Sequence, residues 1–158
     1  MITTQFTPPQ AALVAIDIAK NRHEVLIDPG AGMRRRRLSV LNNRAEHDRL
    51  VATLRDLGRP VIVGFEPTGN YHRVLAHRLI SAGFETRLIS SMALARTREA
   101  LHNGWDKNDP KDAQVILHML RIGATTVYSD PGYGRLNDLQ ELSKTHDMVS
   151  RAKTELWH

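Results

Sequence analysis

Four acids are spaced so that they could do phosphate chemistry together: Asp17, Glu66, Asp109 and Asp112. Asp17 follows the apolar run Ala11-Ala12-Leu13-Val14-Ala15-Ile16, and Glu66 follows Val61-Ile62-Val63-Gly64-Phe65. An acid directly after a buried strand sits at a sheet's end. If the two strands are neighbours, both carboxylates leave at one edge, where open α/β sheets place their ligands. Asp109 and Asp112 are one helical step apart, about 60° around the axis, and share a face at a helix start. Crowded carboxylates repel one another, whereas hard divalent cations take oxygen ligands and offset that repulsion. Two Mg²⁺ or Mn²⁺ ions about 4 Å apart can activate an attacking oxygen and stabilise the leaving one in phosphodiester chemistry. Each acid also has a structural reading. Asp109-Pro110-Lys111-Asp112 matches a helix start, with Asp as cap, Pro at N1 and an acid suited to the dipole. Glu66 before Pro67 could be a turn residue, and Asp17 could pair with Lys20 or cap a turn. Asp17 is the hardest to explain in that way, because a buried strand rarely ends in a carboxylate without a partner. Taken together, the metal reading leads.

The elements that must position these acids follow from apolar periodicity. Residues 1–10 are polar, carry Pro8-Pro9 and read as an extended lead-in. The run from Ala11 to Ile16 has the near-continuous apolar pattern of a strand covered on both faces. His23 to Ile27 and Arg34 to Leu41 read as two further strands, with a turn at Pro29-Gly30-Ala31-Gly32, and complete a meander. Asn43 followed by Glu46 is a capping box, and Leu50, Leu54 and Leu57 repeat at helical spacing up to Gly58. Pro60 to Phe65 is a buried strand, a helix runs from near Asn70 to Gly83, and Glu85 to Ile89 is a fifth strand. Ser90 to Leu101 and a segment from Asp109 through Leu120 are helical. This order, β-β-β-α-β-α-β-α-α, implies an α/β fold with a mixed sheet flanked by helices, because the later strands need crossover connections. After Tyr128-Ser129-Asp130-Pro131-Gly132, the residues Leu139, Leu142, His146, Val149, Lys153 and Leu156 form a heptad seam with two polar interruptions. Residues 135–158 therefore read as the start of a helical coiled-coil arm, and residues 11–126 as the domain that carries the acids.

Composition narrows the function classes. The chain has 158 residues, enough for one domain and a short appendage. Its longest strongly apolar run falls far short of the ~20 residues that span a bilayer, so no membrane segment is expected. The first residues lack the basic flank and apolar stretch of a secretory signal. Cysteine is absent, which excludes disulfides, zinc–thiolate sites and a cysteine nucleophile and makes a cytoplasmic setting the default. Lys plus Arg number 22 against 17 acids, a net charge of +5 that favours polyanion partners. With only 5% aromatic residues, phosphate contacts rather than base stacking would have to dominate. Arg34, Arg35, Arg36 and Arg37 are the densest candidate phosphate-binding run, with a solvated strand edge as the competing reading. The eight histidines show no pair at helical ligand spacing and read as surface or core residues.

The motif blocks themselves carry a resemblance. Asp17-Ile18-Ala19-Lys20 after a buried strand, Glu66-Pro67-Thr68-Gly69-Asn70-Tyr71, and Lys107-Asn108-Asp109-Pro110-Lys111-Asp112-Ala113 resemble the three blocks of the DEDD insertion-sequence transposases of the IS110 group. The resemblance covers roughly Leu13 to the chain end. It implies the RuvC-like, RNase H-like fold, with Asp17, Glu66, Asp109 and Asp112 as a metal-binding and catalytic tetrad for Mg²⁺ or Mn²⁺. Asn108 stands where the family commonly has Thr, a departure peripheral to the carboxylates. The resemblance further implies DNA as partner, a structured guide RNA, and a homo-oligomer formed through the helical arm. Lys20, Lys107 and Lys111, inside the same blocks, join the arginine run as nucleic-acid-binding candidates. A second domain bearing a nucleophilic serine is implied too. Ending at His158, the chain is expected to be a fragment that holds the metal and phosphate chemistry without completing strand exchange.

The expected function is thus metal-dependent phosphodiester chemistry on DNA during transposition. A stand-alone nuclease for Holliday-type junctions and a non-catalytic nucleic-acid-binding and oligomerisation module are the alternatives, and metal titration separates the last from both enzymes. An actin-like ATPase shares the strand order but needs Gly in its first hairpin to approach phosphate, and Ile18-Ala19-Lys20-Asn21-Arg22 offers none.

Overall fold

Asn43 accepts a hydrogen bond from the Glu46 amide at 2.9 Å, so the first helix begins at the expected cap. In the computed structural model, which describes residues 3–4, 11–101 and 111–128, that helix is α1 (Arg44–Arg55). It follows strands β1 (Thr3–Thr4), β2 (Ala12–Asp17), β3 (Arg22–Asp28) and β4 (Arg36–Leu41). Next come β5 (Val61–Phe65), α2 (Arg73–Ser81), β6 (Glu85–Leu88), α3 (Ser91–Ala100), α4 (Lys111–Ile122) and β7 (Ala124–Val127). The strands form one mixed sheet in the order β1-β7-β6-β5-β2-β3-β4. The meander of β2, β3 and β4 is antiparallel as expected, while β2–β5 and β5–β6 are parallel and joined by crossovers.

Side-chain alternation along the strands sends two sets of residues to opposite faces. Val14, Ile16, Val63 and Phe65 pack with Leu50 and Leu54 of α1 and Leu75 and Leu79 of α2. Leu13, Ala15, Leu26 and Ile62 pack instead with Leu94 of α3 and with Ile116, Leu117 and Leu120 of α4. Each large aliphatic residue fully buried in this way contributes about 1.5–3 kcal/mol, so the two helical layers hold the central strands from both sides. The result is the three-layer α/β/α arrangement implied by strands β2 and β5, which are apolar on both faces.

Two strands depart from the expectation. β1 lies within the lead-in, pairing antiparallel with β7 through Thr3 and Thr4. β7 itself pairs antiparallel with β6, yet Ala124-Thr125-Thr126-Val127 is too short and too polar to announce a strand by apolar pattern. Helix α2 starts at Arg73, later than Asn70, because Thr68 to Arg73 is taken up by turns closed by the Tyr71 and Arg73 amides. The heptad residues of 135–158, and Lys107, Asn108 and Asp109, lie outside the described residues.

Candidate functional site

Asp17 is the last residue of β2, and Glu66 is the first residue past β5. The two strands run parallel with Ile16 opposite Phe65, so the acids leave the sheet side by side at the same end. Alternation carries them to the face of Ala15 and Gly64, the face covered by α3 and α4. Ala15 and Gly64 are themselves register partners. Their small size lets α4 approach closely: a Cβ on Gly64 would lie only 2.6 Å from Leu120 Cδ2. That approach brings the first turn of α4, with Asp112, to the strand ends.

The electrostatics of Asp17 report the resulting arrangement. Burial, followed by the carboxylates of Asp112, Glu66 and Glu24, holds the Asp17 carboxyl above its ordinary range, and Arg98 acts in the opposite sense. Asp17, Glu66 and Asp112, the expected acids that fall among the described residues, are therefore brought together. Glu24 is an addition. It sits directly across from Asp17 in the β2–β3 ladder and accepts a hydrogen bond from the Ser39 hydroxyl at 3.2 Å. The β-meander pattern was the signal that could have found it, since an antiparallel hairpin fixes which residues face each other. Arg98 is the other addition, with Nη2 at 2.7 Å from Asp112 Oδ1. The turn after Asp17 is tied down by the Ala19 amide, which donates to His23 Nδ1 at 3.2 Å.

Lys20 and Lys111 are both exposed, the first in the β2–β3 turn and the second at the start of α4 beside Asp112. The four arginines 34–37 are exposed as expected, at and before the edge strand β4. Strand alternation sends the two of them that lie in β4 to opposite faces. Arg37 pairs in register with Leu26, on the α4 face that holds the acids, whereas Arg36 pairs with Ile27, on the α1 face. Arg35 reaches back to Asp28, with Nε 3.7 Å from its carboxylate, and Asp28 also receives Arg121. His23 and His47 are buried core residues stacked with ring centroids 6.0 Å apart, in keeping with the reading of the histidines as core or surface.

The donor set at the strand ends suits a hard divalent cation. It is made of carboxylate oxygens, and burial followed by repulsion from the neighbouring acids holds the Asp17 carboxyl above its ordinary range. Among the described residues no three His, Asp or Glu side chains stand at metal-holding distance from one point, and Asp109 lies outside those residues.

Comparisons with known proteins bear on the family and the fold. A family model described as a transposase, of the DEDD type found in IS110 elements, matches residues 14–157. The structure of RuvC from Thermus thermophilus is similar at 13% identity with a TM-score of 0.50, covering 74% of this chain and 99% of that one. RuvC of the same organism in complex with a Holliday junction substrate aligns at 13% identity and a TM-score of 0.48. YeaZ from Pseudomonas aeruginosa aligns over 59% of this chain at 19% identity and a TM-score of 0.36. No curated protein matches. The first of these structures identifies the fold as RuvC-like, with the helix-flanked mixed sheet described above.

Proposed function

The chain belongs to the DEDD transposase family of IS110 elements, and from that premise we propose that residues 11–126 form its metal-dependent, DNA-cleaving domain. The observation that carries this reading is the convergence of Asp17, Glu66 and Asp112 at one sheet end, where the charges of Glu66 and Asp112 act on Asp17. Asp17, Glu66, Asp112 and Asp109 would hold Mg²⁺ or Mn²⁺. When bound, such ions supply an activated attacking oxygen and a counter-charge for the leaving oxygen of a phosphodiester.

The protein's own groups do the rest. Asp17 and Glu66 are fixed by strands buried on both faces, which makes them rigid supports. Lys20 and Lys111 lie beside the acids and would take backbone phosphates, Lys107 would add a further contact, and Arg37 would extend that contact along the same sheet face. Arg34, Arg35 and Arg36 would add phosphate contacts at the sheet edge. The partner is DNA, read with a structured guide RNA, and residues 135–158 would join copies of the chain through their heptad seam. Among the described residues no helix is long and apolar enough to cross a membrane. The family match over residues 14–157 favours the transposase over a stand-alone junction nuclease.

Calorimetric titration with Mn²⁺ tests the reading. Binding by the wild type should be weak without DNA, because phosphate normally completes the shell of such ions. The Asp17→Asn, Asp112→Asn double variant should lose the binding heat. Equal heats for the two proteins would overturn the metal assignment.

A further inference from the structure

Arg98 stands on α3, a helix whose buried anchor is Leu94. A second tie holds α3 to α4: the Thr97 hydroxyl donates to the Ala93 carbonyl at 2.8 Å and lies 3.1 Å from Met119 Sδ. The helix is thus positioned by residues other than Arg98, which leaves the guanidinium to be placed by electrostatics. It goes to Asp112. The side chains of Arg98 and Asp112 are 46% and 42% exposed, so water competes with the contact and the pair is not locked in place by burial.

We propose that Arg98 is a displaceable counter-ion: it holds Asp112 in the metal-free protein and, when a divalent cation takes that carboxylate, turns to a phosphate of the bound nucleic acid. This rests on the metal reading above. The geometry supplies the reasons. A divalent cation on the Asp112 carboxylate would repel the guanidinium that now lies 2.7 Å from its Oδ1 and compete with it for the same negative charge, so binding of one weakens the hold of the other. A guanidinium carries several donors in a planar fork suited to phosphate, and its pair with Asp112 is made through Nη2. Its flexible stem lets the head swing without moving α3. Its charge reaches Asp17 as well as Asp112, so it stands beside the acidic cluster. In the metal-free state it offsets repulsion among Asp17, Glu66, Glu24 and Asp112. Arg98 is in this sense a positioning residue before the nucleic acid arrives and a binding residue afterwards.

The test compares wild type, Arg98→Gln and Arg98→Lys in two measurements. In Mn²⁺ calorimetry without nucleic acid, Arg98→Gln should bind up to about fivefold more tightly, the factor expected from losing a half-exposed competing ion pair. In fluorescence anisotropy with a cleavage-resistant phosphorothioate duplex, the salt slope of Arg98→Gln should be smaller than wild type by about 0.9, one phosphate contact, with Mn²⁺ present. Without Mn²⁺ the slopes should coincide, because Arg98 is then engaged with Asp112. Arg98→Lys, which keeps the charge, should restore the slope. Equal Mn²⁺ affinities for wild type and Arg98→Gln, or a slope difference indifferent to Mn²⁺, would overturn the proposal while leaving the metal site standing if Asp17→Asn with Asp112→Asn still abolishes the heat. Absence of Mn²⁺ heat in the wild type would overturn both. Circular dichroism melts show whether each variant is folded, as expected for a half-exposed side chain.

Discussion

Replacing Gly64 by Ala puts the closeness of α4 to the sheet to a quantitative test. The added methyl would lie 2.6 Å from Leu120 Cδ2 and 2.8 Å from both Cδ1 and Cγ. Favourable carbon contacts begin at about 3.5 Å, so the shortfall is roughly 1 Å. Leu120 has little room to swing aside, because it is only 2% exposed and packed among Ala15, Ile62 and the rest of that core. Either its side chain leaves a favourable rotamer or α4 lifts from β5, and overpacking of this kind costs about 1–3 kcal/mol. At roughly 3 °C per kcal/mol for a chain of this length, Tm should fall by about 3–9 °C. Thermal melts of wild type, Gly64→Ala, Leu120→Ala and the double variant measure it. Leu120→Ala alone should cost about 2–5 kcal/mol by leaving a cavity. In that background the Gly64→Ala methyl enters vacant space, so its cost should vanish. Additivity of the two changes to within about 0.5 kcal/mol would refute the packing argument. Since Asp112 rides on the first turn of the same helix, Gly64→Ala should also weaken Mn²⁺ binding.

Asp17→Asn, measured without metal at neutral pH, should melt at or above the wild type, because the ionised carboxylate is held against burial and three neighbouring acids. An acid with a raised native pKa destabilises the fold above that pKa, and the penalty disappears as pH falls into the ordinary carboxylate range. The gap between variant and wild type should close there, and strong destabilisation at neutral pH would make Asp17 a structural partner instead. Burial lowers the pKa of His23, and burial followed by the His23 charge lowers that of His47. The unfolded chain therefore binds protons first, and stability is lost as pH falls through about 6.5 towards the lowered native values. His47→Leu should flatten the change in denaturation midpoint between about pH 7.5 and about pH 5, and an unaltered pH dependence would exclude this role. Arg35→Ala combined with Arg37→Ala should weaken binding to unrelated duplexes equally and reduce the salt slope by up to ~2. Unchanged anisotropy curves would assign those arginines to a solvated edge.

The central strands were legible because β2 and β5 are apolar on both faces, a pattern that periodicity reads well, and an acid closes β2 and directly follows β5. The cap of α1 was legible for the same local reason, since Asn43 accepts from the Glu46 amide, whereas the cap that Ser90 makes with the Ala93 amide is an addition. Convergence of Asp17, Glu66 and Asp112 could be anticipated only conditionally, on β2 and β5 being neighbours. The rest depended on tertiary information. Glu24 joins the cluster through hairpin register, and Arg98 through the docking of α3 on α4, which no local pattern on Ser91–Ala100 announces. The arginine run reads as one patch in one dimension, yet strand alternation divides it between two faces. Strand β7 escaped notice because its pairing with β6, rather than its own composition, makes it a strand.

Asp17 and Glu66 come from β2 and β5, whereas Asp112 arrives on a helix that packs back across β2 from much later in the chain. A ribosome releases the two strand acids well before it releases α4. The nascent sheet can therefore assemble with only part of its acidic cluster, and the missing carboxylate is delivered when α4 settles over Ala15 and Gly64. Contacts this distant along the sequence form late, since loop closure must precede them. Completion of the fold is in this way a checkpoint on the acidic cluster: a partly folded chain displays the strand acids without the helical one.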